Sequence, residues 1–324
     1  MLYRKRNSVS DFYLNFYHKK IRPVTDNIRA TTVSVDDLFL LQKYNGEFFH
    51  HDIVIKYMVL EHHFLNMHPD IWKTYYTMQY EGNQLYADTR IASFKKVLKS
   101  LEEKGYMPEN KISVDSNLFV RDGCHRTAMA LFFGAETVDV LPHSKPCNPQ
   151  KYISEYQSKP FTAEERISIE QKLAELTDKS NKPLNIVLFG SSADNAELAA
   201  ELLSQYGTVI SCNHYHLSEN QCSDICRDIA KAANLYNKKH AKISATNNKI
   251  AVIQLKLTEP HMTAVENNKP AILKKYINYR IPLIKQTDEI RKALTGKISV
   301  KENQLYIPQN FLINSKFGHI IGDL

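Results

Sequence analysis

The sequence predicts an α/β protein, and three observations carry that expectation. Apolar runs rich in Val and Ile alternate with longer helical patterns from residue 184 onward. A strand, a turn and a strongly apolar helix follow one another in "ISVDSNLFVRDGCHRTAMALFFG", residues 112–134. Hydrophobic content of 43% supports real cores, and no repeat or low-complexity tract points to another architecture.

The 324 residues suit two domains, read here as residues 1–150 and 183–324 with a linker helix in 151–182. "LPHSKPCNPQ" is a Pro-rich exit from the first, and "FTAEERISIEQKLAELTDKSNKP" then reads as the connecting helix. Thr162 and Glu165 form its capping box, and Ile167, Leu173 and Leu176 mark the face expected to dock. Five cysteines, an odd number without framework spacing, fit a reducing compartment, so a cytoplasmic location is expected. No apolar run approaches the ~20 residues of a membrane span. The net charge of +7 suits anionic substrates such as nucleotides. Lys and Arg are spread along the chain rather than massed in a stripe, so nucleic acid is not the expected partner.

Within the first domain, "TTVSVDDLFLLQKY" suggests a strand followed by a helix. In "HHDIVIKYMVLEHHFLNMHPDIWKTYYTMQY" the spacing of Ile55, Met58, Val59 and His62 fits a helix. Its histidines lack H-E-x-x-H spacing and are expected to be surface or packed groups rather than metal ligands. Asp52 and Glu61 draw attention because their nine-residue separation is read as bringing both acids to one helix face.

The chemistry concentrates in "RDGCHRTA", at the N-terminus of the apolar helix that Gly134 closes. Unpaired N–H groups and the positive dipole end make such a place an anion site. Gly123 permits close backbone approach, and Arg126 can fork onto a phosphate. His125 can move a proton, and Asp122 can hold a metal or accept a hydroxyl proton. The same residues also suit an ordinary buried helix with Asp122 as its cap.

"DGCHRTAMALFFG" resembles the signature of the ParB/sulfiredoxin superfamily, with similarity running from about residue 90 to the strand "TVDVLPH". The upstream helices, through Asp52, Val54, Tyr57 and Glu61 and then Tyr75, Met78 and Gln79, resemble a variant found among bacterial surface-polysaccharide cluster proteins. The superfamily's free serine kinases imply an ATP- or ADP-dependent kinase acting with Mg²⁺ on a small hydroxylated substrate such as a sugar, polyol or amino acid. The resemblance implies Asp122, His125, Glu61 and Asp52 as catalytic groups. It implies nucleotide contacts from Gly123, Cys124, Arg126 and Thr127, with Asp122 as the metal partner. Two alternatives stay open. Cys124 stands where sulfiredoxins carry their nucleophile, and a helix N-terminus beside His and Arg should lower its pKa. A ParB-like nucleotide-responsive binding protein is the other.

In the second domain, "KPLNIVLFGSS", "TVISCNHYHL" and "KIAVIQLKL" read as strands. "ADNAELAAELLSQYG", stopped by Gly207, and "SENQCSDICRDIAKAANLY", capped by Ser218, read as helices, as do "KPAILKKYINY" and "QTDEIRKAL". "HII" near the end suggests a final strand. Cys212, His214 and His216 alternate on one strand face and Cys222 and Cys226 share a helix face, but their spacing is not that of a zinc ribbon, and no catalytic constellation is visible.

Overall fold

The computed structural model describes residues 31–106, 111–143, 145–234, 248–266, 280–298 and 300–322. It is an α/β protein with mixed sheets, as the strand and helix patterning implies. The helix expected at "KPAILKKYINY" lies outside the described residues.

Strand β1 (Thr31–Ser34) leads directly into α1 (Val35–Leu40), where the Ser34 hydroxyl accepts the Asp37 N–H at 3.4 Å. A tight hairpin of β2 (Lys43–Tyr44) and β3 (Glu47–Phe48) turns on Asn45-Gly46, both at positive φ, the pairing that two-residue hairpins select. Helices α2 (His51–Leu65), α3 (Ile71–Gln79) and α4 (Gln84–Lys104) follow. Strands β4 (Ile112–Val114) and β5 (Val120–Asp122) pair as a hairpin, whose turn is closed by Asp115 accepting the N–H groups of Asn117 and Phe119. Then come α5 (Cys124–Phe132) and β6 (Thr137–Pro142), which completes a sheet of order β1-β6-β4-β5. Gly134, at φ +67°, ends α5 as expected.

Helix α6 (Pro149–Ser158) leads into α7 (Ala163–Ser180), which starts on the reciprocal Thr162–Glu165 capping box. Its buried stripe is Ile169, Lys172, Leu176 and Ser180. Ile167, expected on that stripe, is 57% exposed, because two residues before Ile169 is more than half a turn away.

The second sheet, of order β12-β7-β9-β8, holds β7 (Leu184–Phe189), β8 (Gly207–His216), β9 (Lys249–Leu257) and β12 (Leu305–Tyr306). Every neighbouring pair in it is antiparallel. After β7 the chain makes a 3-10 turn over Gly190–Asn195 and then α8 (Ala196–Leu203). Gly207 does not stop that helix but opens β8, where a Cβ would collide with the Lys256 carbonyl oxygen. Helix α9 (Glu219–Asn234) begins with Ser218 capping the Gln221 N–H. A second hairpin, β10 (Met262–Glu266) with β11 (Arg280–Ile284), precedes α10 (Gln286–Lys297). The chain then enters α11 (Phe311–Gly322). The expected "HII" strand is therefore the end of a helix, whose start is fixed by Asn310 accepting the Ile313 N–H. No helix among the described residues is long and apolar enough to cross a membrane.

All six residues of β7 are buried, because helices cover both faces of this sheet. Ile186 and Leu188 join the main core, while Val187 and Phe189 join a smaller one with Ile225, Ile229 and Ile313. The main core runs without a break from Val33 and Val54 through Leu176 to Leu305 and Phe311, so both sheets share it.

Two buried polar contacts tie the first half to α11 and to the connecting helix. The Asp37 carboxylate accepts the N–H groups of Phe311 and Leu312 at 3.0 and 3.2 Å, capping α11 from the first sheet's side. Across α2 and α7, the Lys172 ammonium meets Glu61 at 2.9 Å with both side chains buried, and His68 meets the other Glu61 oxygen at 2.8 Å.

Removing one partner of a buried pair leaves an uncompensated charge, so Lys172→Met should destabilise the protein by about 3 kcal/mol or more in chemical denaturation. A second test concerns pH. Burial pushes the Asp37 carboxyl up from its ordinary 3.8 to about 7, against the pull of its two N–H donors. The folded state therefore holds this proton more tightly than the unfolded chain does. Its contribution is greatest below the ordinary carboxyl pKa and is lost as pH rises through about 7. Thermal unfolding at about pH 5 and pH 8 should show a larger loss with rising pH in the wild type than in Asp37→Asn.

Candidate functional site

Strand β5 delivers Asp122 to the sheet edge, and the chain turns at Gly123 into α5. Gly123 has φ +121°, and a Cβ there would lie 3.1 Å from Ile112. It is also the N-cap, with no side chain capping the helix, so the cap reading of Asp122 does not hold. Asp122 instead pairs with Arg126 one turn on, at 3.1 Å, with side chains 44% and 28% exposed. Arg126 also donates to the Lys111 carbonyl. The result is a half-open rim of N–H donors, one guanidinium and one carboxylate.

Behind the rim lies a more enclosed cluster. Asp52, in the first turn of α2, holds the Lys56 ammonium at 2.7 Å, an i,i+4 pair with Lys56 buried. Its other oxygen, Oδ1, is buried with no hydrogen-bond partner and lies 3.4 Å from His50 Nδ1. His50 Nε2 donates to the Val120 carbonyl at 2.6 Å, and its ring packs against both Phe49 and Tyr152. Cys124 Sγ lies 3.8 Å from His50 Nδ1. His125 points to Tyr75, whose hydroxyl is 3.4 Å from Nε2, and packs edge-on against Phe94.

Charges follow from burial and neighbours. Burial alone would raise the Asp52 carboxyl, but Lys56 and His50 outweigh it and hold it well below the usual carboxylate range. Burial drives His125 well below the usual imidazole range, and Lys56, Arg90 and Arg126 add to the effect, so its ring is neutral. The thiol of Cys124 is pushed well above its ordinary value by burial and then by Asp52. That reverses the lowered pKa expected from its helix-terminal position, because desolvation outweighs the dipole.

The structure thus brings Asp52, Asp122, Gly123, Cys124, His125 and Arg126 together. Thr127 is fully buried and its hydroxyl donates to the Gly123 carbonyl, so it serves the helix. Glu61 is elsewhere. Nine residues at ~100° each place it on the opposite side of α2 from Asp52 and ~13 Å further along the axis, contrary to the shared face expected. There it meets Lys172, while Tyr57 lies beneath Lys172 and Lys179. Lys56 and His50 were the residues that sequence reading missed. The i,i+4 spacing of Asp52 and Lys56 was the available signal for the first. An open depression of about 480 Å³, lined by His62, His63, Asn66, Trp72, Lys95 and Leu98, lies at the other end of α2 from this cluster.

No protein-family model, curated protein or solved structure matches the chain.

The neutral state of His125 is directly measurable. Its imidazole resonances in NMR should stay unshifted between about pH 5.5 and 8.

Proposed function

We propose that the turn at residues 122–126 binds the phosphates of ATP or ADP and that the protein transfers a phosphoryl group to a hydroxyl of a small molecule, such as a sugar, polyol or amino acid. The observation that carries this reading is the uncapped N-terminus of α5 set between Asp122 and Arg126, with Lys56 and Arg90 close behind it. Such a rim offers backbone donors and cations to an anion at one place. The resemblance of "DGCHR" to the ParB/sulfiredoxin superfamily supports the same assignment, as does the neighbouring "Y…MQ" helix, whose Tyr75 reaches His125 and whose Gln79 accepts from Arg90.

Phosphoryl transfer depends chiefly on positioning and on neutralising phosphate charge. Arg126 and the first-turn N–H groups hold the phosphates. His125, kept neutral, is able to accept a hydroxyl proton, and Asp52, kept ionised, orients Lys56 toward the bound charge. Mg²⁺ binds through one or two carboxylates plus phosphate oxygens, and the half-exposed Asp122 fits that role. When bound, the ion would neutralise phosphate charge. The reductase alternative needs a thiolate at Cys124, and the buried thiol argues against it.

Calorimetry with Mg²⁺ should detect ATP or ADP binding, weakened at least ~10-fold in Arg126→Ala. Phosphorus NMR on a panel of candidate alcohols should then reveal transfer. His125→Ala and Asp122→Asn should each slow it at least ~10²-fold while leaving the fold intact. A folded protein that binds neither nucleotide would overturn the reading.

A further inference from the structure

The enclosed cluster behind the rim holds a donor set in which the phosphate reading uses only the Asp52 oxygen that faces Lys56. His50 Nδ1, an Asp52 carboxylate oxygen and Cys124 Sγ all lie within 4.8 Å of one another. They come from the start of α2 and the start of α5, far apart in sequence. We propose that these three side chains bind a zinc ion.

Geometry is the first argument. Zinc bonds of about 2.0–2.3 Å to N, O and S give a tetrahedron whose edges are about 3.3–3.6 Å. The observed edges are 3.4 Å from His50 Nδ1 to Asp52 and 3.8 Å from His50 Nδ1 to Cys124 Sγ. The third, from Asp52 to Cys124, lies within 4.8 Å, so the two edges that meet at His50 are already near their metal-bound size.

The second argument is the state of each donor. His50 Nε2 donates to the Val120 carbonyl, so Nδ1 is the ring nitrogen that faces the cluster, 3.4 Å from Asp52 and 3.8 Å from Cys124 Sγ. A metal-bound histidine is held in this way, its far nitrogen donating to a backbone carbonyl. Phe49 and Tyr152 both pack against the ring and against each other, which restricts its rotation. Asp52 Oδ1 is a buried carboxylate oxygen that receives no hydrogen bond, a costly state that a cation relieves. Lys56 engages only the other oxygen, Oδ2, and so fixes the carboxylate with Oδ1 turned to His50.

The donors also select the metal. One imidazole, one thiol and one carboxylate suit a borderline ion such as zinc and disfavour Mg²⁺ and Ca²⁺, which take oxygen. On binding, zinc replaces the Cys124 proton, which leaves to solvent, and the thiolate becomes the ligand. Zinc, one carboxylate, one thiolate and the Lys56 ammonium then sum to one positive charge. Three protein ligands leave the fourth position for water or an anion, the arrangement of reactive rather than purely structural zinc.

This inference goes beyond the proposed kinase reading and requires no nucleotide, so the two fail separately. A rival donor set exists at Glu197, Cys212 and His214, which is largely exposed, and it serves as the internal control. The test uses the full chain, freed of metal by a chelator and titrated with Co²⁺ alone. The expected result is a thiolate-to-cobalt charge-transfer band, with the strong visible bands of four-coordination, saturating at one equivalent and reversed by Zn²⁺. Cys124→Ser should abolish the charge-transfer band, and Asp52→Asn should weaken Zn²⁺ binding at least ~10-fold. Cys212→Ser should change neither. Lys56→Met should tighten binding by removing the competing cation. Absence of the band in the wild type, its survival in Cys124→Ser, or its loss in Cys212→Ser would overturn the proposal. If Cys124→Ser fails to fold, the wild-type and Cys212→Ser spectra decide.

Discussion

Helix α2 is buried on nearly every side, yet it carries Asp52, Lys56 and Glu61. A charge in that position must be paired, because the interior does not solvate it. The surrounding architecture is arranged around this requirement. Lys56 answers Asp52 one turn along the same helix, while Glu61 is answered from α7 by Lys172 and from the following loop by His68. The two pairs sit on opposite faces. One face therefore looks into the candidate site, and the other locks the connecting helix in place. Moving α2 by a single residue would misalign both.

The same logic explains how the halves of the chain are held together. Hydrophobic burial makes the core continuous from the first sheet to α11, but burial is not directional. Direction comes from the polar contacts embedded in it. Asp37 caps α11 from the first half, and Asn314 of α11 in turn accepts the Asn185 N–H in β7. Helix α11 is thereby tied to α1 and to the second sheet by named hydrogen bonds, which sets its orientation where apolar contact alone would tolerate sliding.

Local signals were well expressed in the sequence. The Thr162–Glu165 box, the Ser218 cap and the apolar α5 depend on neighbours within a few residues and form as the sequence implies, while the second strand expected at "LFV" starts only at Val120 because Leu118, at positive φ, and Phe119 belong to the turn. What failed was non-local or angular. Ile167 and Glu61 were placed on the wrong helix faces, errors that counting at ~100° per residue would have removed. "HII" resembles a strand in isolation, and only the Asn310 and Asp37 caps, one of them supplied from far away in the chain, make it helical. The antiparallel order of the second sheet was not legible either, since strand–helix alternation is silent about strand direction when a helix is followed by a return strand. The rim at residues 122–126 was readable because it is one contiguous motif. The cluster behind it was not, because it joins residues 50–56 to residues 124–125, and only the fold makes them neighbours.

Gly123 is where those two environments part. Its backbone takes a conformation that side chains rarely adopt, and Ile112 crowds the space a Cβ would need. That turn lets adjacent residues face opposite ways. Asp122 goes outward to Arg126 and solvent, and Cys124 goes inward to His50. Hard, exposed oxygen and nitrogen groups are thus separated from a softer, enclosed donor set by one residue of chain. A β-carbon at this position would press on Ile112, and the strand carrying Ile112 is the partner of β5. The strain would reach both sides of the turn together. Phosphate-facing and thiol-facing groups are therefore positioned by one backbone device, and neither arrangement is free to drift without the other.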